Sequence, residues 1–355
     1  MGKQVKTPRF YVDMPTFLHA TGQLGWDDID GGAELLYMSC ANPFLNTEVS
    51  DVLFQIGANG NIPKTSFPIN FVALLNHNLG GVVTTINANS SPITPTANVI
   101  NYDTASGTPT YNGTSIFTFT EFNSYWLYFN IDTDSVVQHQ LGSFVVGKYW
   151  DAPNSPDLSL TMSRRFDGIK KQKTIGGKTL ANIYYDGPTE WTMNGPNGTY
   201  KYPPFELDLP TANDLTPSDF NQIAKSGLGR KGLRSWKLTF SYISEDDMWT
   251  AYESSSRAPF EYTEDGEINA ITDSTIPKDN GVEVSYVANP MLSDDSFNFV
   301  WNCTLGGTLP FIFQPDKTNN NTDQFSICNF RGNSLSVTQV AHNTYKLSIT
   351  IDEVA

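Results

Sequence analysis

The chain has 355 residues, of which 39% are hydrophobic and 13% aromatic, and its formal net charge is −15. A surface this acidic repels phosphate groups, which argues against recognition of nucleic acid through its backbone. No stretch approaches the length of a membrane span, and the basic start of the chain has no apolar run behind it, so we expect neither a membrane anchor nor a signal peptide.

The cysteines are few and far apart. Cys40, Cys303 and Cys328 form an odd set without a C-x-x-C pair, which argues against a disulfide scaffold or a zinc site. Buried free thiols in a protein made in a cytosol fit this pattern best.

The first 150 residues contain short apolar and aromatic runs separated by Gly, Pro and Asn clusters, a pattern typical of strands. These runs lie at 52–56, 71–75, 116–119, 125–129 and 142–150. Residues 87–113, rich in Ser, Thr, Asn and Pro, predict a long exposed loop. The Pro- and Asn-containing segment 151–157 predicts a linker, so we expect a β-sandwich domain at 1–150, in a peripheral position, and a second domain at 158–355.

The second part of the chain also favours strands. Alternation of apolar and polar residues predicts half-buried strands at 158–162, 235–242 and 345–351, and shorter runs predict others at 311–313, 325–328 and 334–340. Cap-like sequences at 216–219, 244–247 and 293–301 are candidate helix starts, and we expect one or two short helices here. Residues 252–285 form a polar, acidic insertion. The predicted fold class is therefore mainly β.

No constellation of residues indicates catalysis. The four histidines lack metal-binding spacing, and no nucleophile elbow, phosphate loop or dinucleotide fingerprint occurs. Gly-Gly-Lys-Thr at 176–179 lacks the first glycine of a phosphate loop at the required spacing, and it is better interpreted as a hairpin turn. The carboxylates at 27, 28 and 30 lack the remaining ligands of a calcium loop. We expect no enzyme, no catalytic residue, no metal and no organic cofactor.

A candidate glycan contact lies near the end of the run at 71–75. Asn76, His77 and Asn78 form a polar triplet after this strand, and Trp26 offers a ring on which a sugar can stack. The alternative is a turn in which the triplet hydrogen-bonds the backbone.

Charge is distributed unevenly. Residues 160–240 hold 12 basic and 7 acidic side chains, and residues 241–355 hold 5 basic and 17 acidic ones. Basic and acidic segments of neighbouring copies can pair and set their register. The candidate interface residues are Arg164, Arg165, Lys170, Lys171, Arg230, Lys231, Tyr345, Leu347 and Ile349.

The last three of these residues lie on the strand at 345–351, which would give an apolar edge in need of a partner. A closed homo-oligomeric ring would give this apolar edge a partner and would pair the basic and acidic segments of neighbouring copies. Its lumen would be acidic, so that DNA passes without sticking. The alternative is a monomer with patches of surface charge.

Several segments resemble tail-tip and distal-tail (baseplate-type) structural proteins of tailed bacteriophages. They are Pro-Arg-Phe-Tyr-Val-Asp at 8–13, Phe-Val-Ala-Leu-Leu-Asn-His-Asn-Leu at 71–79, Leu-Pro-Phe-Ile-Phe-Gln-Pro-Asp at 309–316, and the stretches 323–328, 336–340 and 351–353. These soft patterns cover both ends of the chain and leave its middle uncovered.

The resemblance implies an N-terminal jelly-roll or galactose-binding-like sandwich and a C-terminal tail-tube-like β-barrel. It implies a virion subunit, assembled in the bacterial cytoplasm, that forms a ring and links the tail tube to the tip or fibres. Its partners would be copies of itself, other tail proteins, the passing genome and host-surface glycan. Two alternatives are a carbohydrate-binding receptor module and a glycan-cleaving tail enzyme.

Overall fold

The computed structural model describes part of the chain, namely residues 5–22, 29–30, 38, 45–46, 51–56, 67–77, 83–89, 103–107, 113–124, 126–132, 139–165, 169–183, 233–249, 260–262, 268–270, 296–320 and 324–354. Every ladder among these residues is antiparallel, and the helices among them are few and short. The predicted mainly β class is confirmed.

The first half of the chain contributes eleven described strands and one helix. They are β1 (Arg9–Asp13), α1 (Met14–Ala20), β2 (Ile29–Asp30), β3 (Leu45–Asn46), β4 (Asp51–Ile56), β5 (Phe67–His77), β6 (Val83–Asn89), β7 (Asp103–Gly107), β8 (Gly113–Ser124), β9 (Trp126–Asp132), β10 (His139–Gln140) and β11 (Ser143–Asp151).

The second half contributes ten described strands and two helices. They are β12 (Thr161–Arg165), β13 (Ile169–Lys173), β14 (Thr179–Ile183), β15 (Leu233–Ser244), α2 (Glu245–Met248), β16 (Phe260–Tyr262), β17 (Ile268–Ala270), α3 (Phe297–Cys303), β18 (Phe311–Gln314), β19 (Ser326–Phe330), β20 (Val337–Ala341) and β21 (Thr344–Glu353).

The main sheet has ten described strands and joins both halves of the chain. Its order is β12-β15-β21-β19-β18-β1-β11-β5-β8, and β20 also pairs with β21. β1 lies between β18 and β11, with Phe10 opposite Phe313 on one side and Trp150 on the other. The outermost described strands, β12 and β8, do not pair with each other, so the described ladder is an open sheet.

Smaller sheets complete the described ladders. Five strands pair in the order β2-β4-β9-β6-β7, and the pairs β10-β3, β13-β14 and β16-β17 each form a two-stranded sheet. The β16-β17 pair falls within the predicted insertion at 252–285, most of which lies outside the described residues.

One face of the main sheet carries the larger core. Phe10, Trp150, Phe311 and Phe313 pack there with Phe297 of α3, and all five rings are almost fully buried. Apolar side chains of α1, α2 and α3 belong to the same cluster, so the three helices bury their faces against this side. A smaller cluster, which includes Tyr11, Phe71 and Ile312, is separate from the larger one, and alternation along β1 places Tyr11 on the opposite face from Phe10.

The structure corrects two strand and loop assignments. The predicted loop at 87–113 contains the end of β6, all of β7 and the start of β8, with Thr85 opposite Ser106. These strands were not predicted because they contain Thr and Asn, and such residues also favour turns. The predicted half-buried strand at 158–162 is shifted to β12, and the side chains of β12 are all exposed.

Two further expectations concern the linker and the thiols. The predicted linker at 151–157 connects strands of one sheet that share one core, and cleavage within it would decide whether the parts on either side fold separately. Cys303 and Cys328 are buried free thiols, as expected, and burial raises the pKa of both. Cys40 lies outside the described residues.

Candidate assembly surface

β12 forms one margin of the main sheet. Its five residues pair with the first five of β15, from Thr161 opposite Lys237 to Arg165 opposite Leu233. The side chains of all five β12 residues are exposed, and the strand has no second neighbour among the described strands. A margin of this kind offers backbone donors and acceptors to another strand.

The chain continues from β12 into a hairpin formed by β13 and β14, here called the arm (residues 169–183). Its strands pair only with each other among the described strands, from Ile169 opposite Ile183 to Lys173 opposite Thr179. The side chains of residues 170–181 are all exposed. The arm therefore contributes no packing to the core that the structure describes.

The turn of the arm explains its local stability. Thr174 N–H donates to Lys178 O at 2.8 Å, and Gly177 N–H donates to Thr174 O at 2.9 Å. Gly177 has a φ of +80°, which glycine adopts without strain. This three-residue connection ending in a left-handed glycine is a common hairpin turn, and it confirms the interpretation of 176–179 as a turn.

The arm is basic and two-sided. Lys171 and Lys173 alternate with Lys170 along β13, so they lie on the opposite face of the hairpin from Lys170. Leu180, opposite Gln172, lies on the same face as Lys170. None of these lysines, nor Lys178 in the turn, is ion-paired with a carboxylate that the structure describes.

The arginines near β12 differ in environment. Arg164 lies opposite Arg234, but Arg234 is half-buried and donates to Glu353 Oε1 at 2.8 Å and to Phe325 O at 3.0 Å. Arg234 also lies over the Trp236 ring, 5.2 Å from its centroid. Arg234 thus ties β15 to β21 within the chain, and it is not part of a surface charge patch.

A second ion pair lies close to Arg165. Arg331 donates to both carboxylate oxygens of Asp352, at 2.6 and 2.7 Å, and to Ser235 Oγ at 3.2 Å. Partial burial would raise the pKa of Asp352, but these hydrogen bonds and the charges of Arg331 and Arg165 outweigh it and hold that pKa below its usual value. Asp352 is therefore ionised beside the basic end of β15.

Of the predicted interface residues on β21, two belong to the interior. Leu347 and Ile349 are buried in the larger core, and β21 lies between β15 and β19 with β20 also paired to it. These two side chains are therefore core residues and not subunit contacts, which corrects their predicted role. Alternation along a strand shows that residues share one face, but it does not show whether that face meets the core or a neighbouring subunit. Tyr345 is half-buried against Trp249, with ring centroids 6.0 Å apart. Arg230 and Lys231 lie outside the described residues.

The predicted glycan residues do not form a described site. His77 is fully buried, its Nε2 lies 2.9 Å from Ser115 Oγ, and burial lowers its pKa to about 3. A neutral, buried imidazole is a structural group and not a surface contact, which corrects its predicted role. Asn76 belongs to β5, and Trp26 and Asn78 lie outside the described residues.

The three most exposed large apolar side chains among the described residues lie in the arm or beside β15, and the sequence did not indicate their exposure. Leu158 and Ile175 are fully exposed, and Tyr242 is 75% exposed. Ile175 lies in the arm's turn, and Asp157 N–H donates to Thr239 O at 2.7 Å, which holds Leu158 beside β15. The signal that could have indicated Ile175 is an isoleucine followed by the two glycines of a turn.

The described residues form a small recess but no metal-binding group. A recess lined by Met162, Arg164, Arg234, Trp236, Pro315 and Gln324 has a volume of about 10 Å³, room for about one water. The described residues contain no group of three His, Cys, Asp or Glu side chains placed to hold a metal. Among the described helices, none has the length and apolarity needed to cross a membrane.

Comparison with known proteins yields only weak structural similarity. No family model matches the chain, and no curated protein matches it. Among solved structures, chitosan-binding module 1 of a chitosanase/glucanase from Paenibacillus sp. IK-5 aligns at 16% identity over 41% of this chain and 96% of that one, with a TM-score of 0.26. Module 2 of the same enzyme, in complex with chitotriose, aligns at 14% identity over 41% of this chain and 98% of that one, with a TM-score of 0.25. Scores of this size do not establish a shared fold.

Proposed function

We propose that the chain is a non-enzymatic structural subunit that assembles with copies of itself into a ring in the tail or tail tip of a tailed bacteriophage. The observation that carries this proposal is the arm. A basic hairpin that pairs only with itself among the described strands, with exposed side chains along its length, has no packing role that the described part of its own chain reveals. Such an element suits contact with a neighbouring subunit.

The open margin of the main sheet supports the same proposal. β12, which leads into the arm, presents five exposed side chains and an unpaired side among the described strands. Exposed strand margins promote association, and a ring satisfies them in a controlled way because head-to-tail contacts close on themselves.

The remaining parts of the proposal follow from the resemblance to tail proteins. They are an N-terminal jelly-roll or galactose-binding-like sandwich, a C-terminal tube-like barrel, an acidic lumen that lets DNA pass, and contacts with tube, tip or fibre proteins. The subunit would be made in the bacterial cytoplasm and function in the virion.

The test is the assembly state of the purified full chain. We expect sedimentation analysis at micromolar concentrations to show a closed oligomer, and electron microscopy to show annular particles of uniform diameter. A chain that stays monomeric across this range and forms no annuli would overturn the proposal.

A parallel measurement addresses the two alternatives. Binding of the full chain to an array of bacterial surface glycans, without annular assembly, would favour a carbohydrate-binding receptor module. Release of reducing sugar from such glycans would favour a glycan-cleaving tail enzyme. The proposed structural role predicts annuli and no release of sugar.

A further inference from the structure

The arm and a second exposed surface lie at opposite ends of β15. β12 pairs with β15 near Leu233, and the chain leaves β12 at this end to form the arm. α2 begins directly after Ser244, at the other end of the same 12-residue strand. At about 3.3 Å per residue these ends lie roughly 35 Å apart. A contact between the two ends of different copies would therefore be head-to-tail.

The far end of β15 carries an exposed apolar pair with acidic side chains next to it. We define the acceptor patch as Leu158, Tyr242, Glu245 and Asp246. Leu158, Tyr242 and Asp246 are exposed, and Glu245 is half-buried. Asp247 is excluded, because it holds the start of α2 through hydrogen bonds with Ser244.

The arm presents the matching arrangement with the opposite charge. Ile175 and Leu180 are exposed apolar side chains, and Lys170 lies on the same face as Leu180. Leu180 lies opposite Gln172, three residues before Ile175, which places the two apolar positions about 10 Å apart along the hairpin. The hydrogen bond from Asp157 to Thr239 places Leu158 and Tyr242 two to three residue positions apart along β15, about 7–10 Å.

The opposite charges of the arm and the acceptor patch, and the similar spacing of their apolar pairs, indicate that the partner bound at the acceptor patch is a second copy of this chain. We propose that the arm docks on the acceptor patch of the neighbouring subunit through the face that bears Leu180 and Lys170 and through Ile175 in its turn. Apolar contact between the two pairs would supply most of the affinity, since exposed ion pairs contribute little on their own. Lysine against carboxylate would set the orientation and speed the encounter. This inference rests on the proposed function and adds to it which surfaces meet.

The experiment compares two charge variants of the full chain by sedimentation at low and moderate salt. For Lys170→Glu, on the docking face, we expect the dissociation constant of the assembly to rise about fivefold at low salt, with a smaller rise at moderate salt. The matched control is Lys173→Glu, on the opposite face of the same hairpin. It changes the net charge by the same amount and should leave assembly unchanged.

Two further variants test the pairing directly. Adding Glu245→Lys/Asp246→Lys to Lys170→Glu should restore assembly, while the same two changes alone should weaken it. Ile175→Asp/Leu180→Asp should abolish assembly at all salt concentrations, with a single cooperative thermal unfolding transition showing that the subunit is folded.

The outcomes separate this inference from the proposed function. If the unmodified chain forms annuli and the arm variants assemble equally well, the docking inference is overturned and the structural role stands. If Lys173→Glu weakens assembly as much as Lys170→Glu does, a general charge effect replaces the docking inference. If the unmodified chain remains monomeric, both are overturned.

Discussion

At the scale of single residues, Asp13 has the most strongly raised pKa among the described carboxyl groups. It caps α1 by accepting a hydrogen bond from Thr16 N–H at 3.3 Å, it accepts another from the Thr16 hydroxyl, and it accepts a third from Val146 N–H on β11 at 3.1 Å. Burial raises its pKa from 3.8 to about 7, although these hydrogen bonds act to lower it. Asp13 therefore links β1 to α1 and β11 through its hydrogen bonds. Its carboxyl group also binds its proton more tightly than an exposed aspartate does.

This raised pKa predicts a specific dependence of stability on pH. The folded chain binds the Asp13 proton more tightly than the unfolded chain, so the associated stabilisation is complete below about pH 4 and is lost as the pH rises towards 7. Asparagine cannot ionise, so we expect the unfolding free energy of Asp13→Asn not to fall over this pH range. Between about pH 4 and 7, the change in unfolding free energy of the variant should differ from that of the unmodified chain by a few kcal/mol, as an order of magnitude. Urea unfolding at a series of pH values measures it.

The reference for this prediction is the curve of unfolding free energy against pH for the unmodified chain, measured over the same pH range. If the curve for Asp13→Asn ran parallel to it, the pKa of Asp13 would be the same in the folded and unfolded chains, contrary to the argument from burial.

Gly147 illustrates a second constraint at residue scale. It lies on β11 opposite Asp13, where a Cβ atom would come within 2.1 Å of Val12 O and 3.1 Å of Met14 N. Because both neighbours are backbone atoms, Gly147→Ala must displace β1 or the start of α1. We expect a loss of about 3 kcal/mol in unfolding free energy.

Thermal and urea unfolding of Gly147→Ala check this expectation, with Gly176→Ala as the control. No atom lies within 4 Å of the position that a Cβ would occupy at Gly176, and its φ is not positive, so this substitution should change stability by no more than about 0.5 kcal/mol. Equal stability of the two variants would contradict the close approach seen at Gly147.

At the scale of elements, the turn of the arm predicts a local effect without a global one. Gly177 has a φ of +80°, where an alanine is strained by about 1 kcal/mol. For Gly177→Ala we expect the amide of Thr174, which donates to Lys178 O, to exchange with solvent about fivefold faster. Hydrogen exchange measured by NMR, with Gly176→Ala as reference, tests this. No change at Thr174 would mean that the hairpin does not depend on its turn.

The strands that the sequence predicts best are those with clear alternation or with a continuous apolar run. The pattern at 345–351 places Leu347, Ile349 and Ile351 inward, and all three are buried. Residues 71–75 form part of β5, and these five residues are all apolar and buried. These are local signals, because the side-chain period of a strand does not depend on its neighbours.

Features that depend on residues far apart in the sequence could not be predicted from such local patterns. The sequence does not show that β21 lies inside the sheet, because its partners β15 and β19 come from elsewhere in the chain. Helix α1 was not predicted, because its seven residues follow β1 directly and its N-cap, Asp13, is also the last residue of that strand. The basic residues of the arm were predicted as a surface, but Leu158 and Tyr242 become an apolar pair only once the chain before β12 is placed beside β15.

At the scale of the whole molecule, β1 is the element that connects the two halves of the chain. Its residue Phe10 contacts Phe311 and Phe313 of β18 with ring centroids 5.6 and 5.2 Å apart, and Trp150 of β11 at 5.6 Å. Arg9 adds an ion pair with Asp151, which Lys317 also contacts at 3.2 Å. A core shared in this way favours cooperative unfolding of the main sheet as one unit.

This arrangement leads to a prediction about fragments cut at the predicted linker. Residues 158–355 alone lack β1, so Phe311 and Phe313 lose Phe10 and the ladder on one side of β18, while residues 1–157 alone leave the other side of β1 open. Each aromatic ring returned to water costs about 2–3 kcal/mol. We expect neither fragment to fold alone, as judged by near-ultraviolet circular dichroism, and a mixture of the two to recover the spectrum of the intact chain.

The matched control for the fragments is a single cut in the arm, between Gly176 and Gly177. This cut should leave the near-ultraviolet spectrum and a single cooperative unfolding transition of the subunit in place, because the arm pairs only with itself among the described strands and its side chains at 170–181 are exposed. A fragment 158–355 that folds by itself, with its own cooperative transition, would instead support the division into two domains. In that case β1 would add stability to β18 without being needed for its fold, and the shared core around Phe10 would be an interface between two domains.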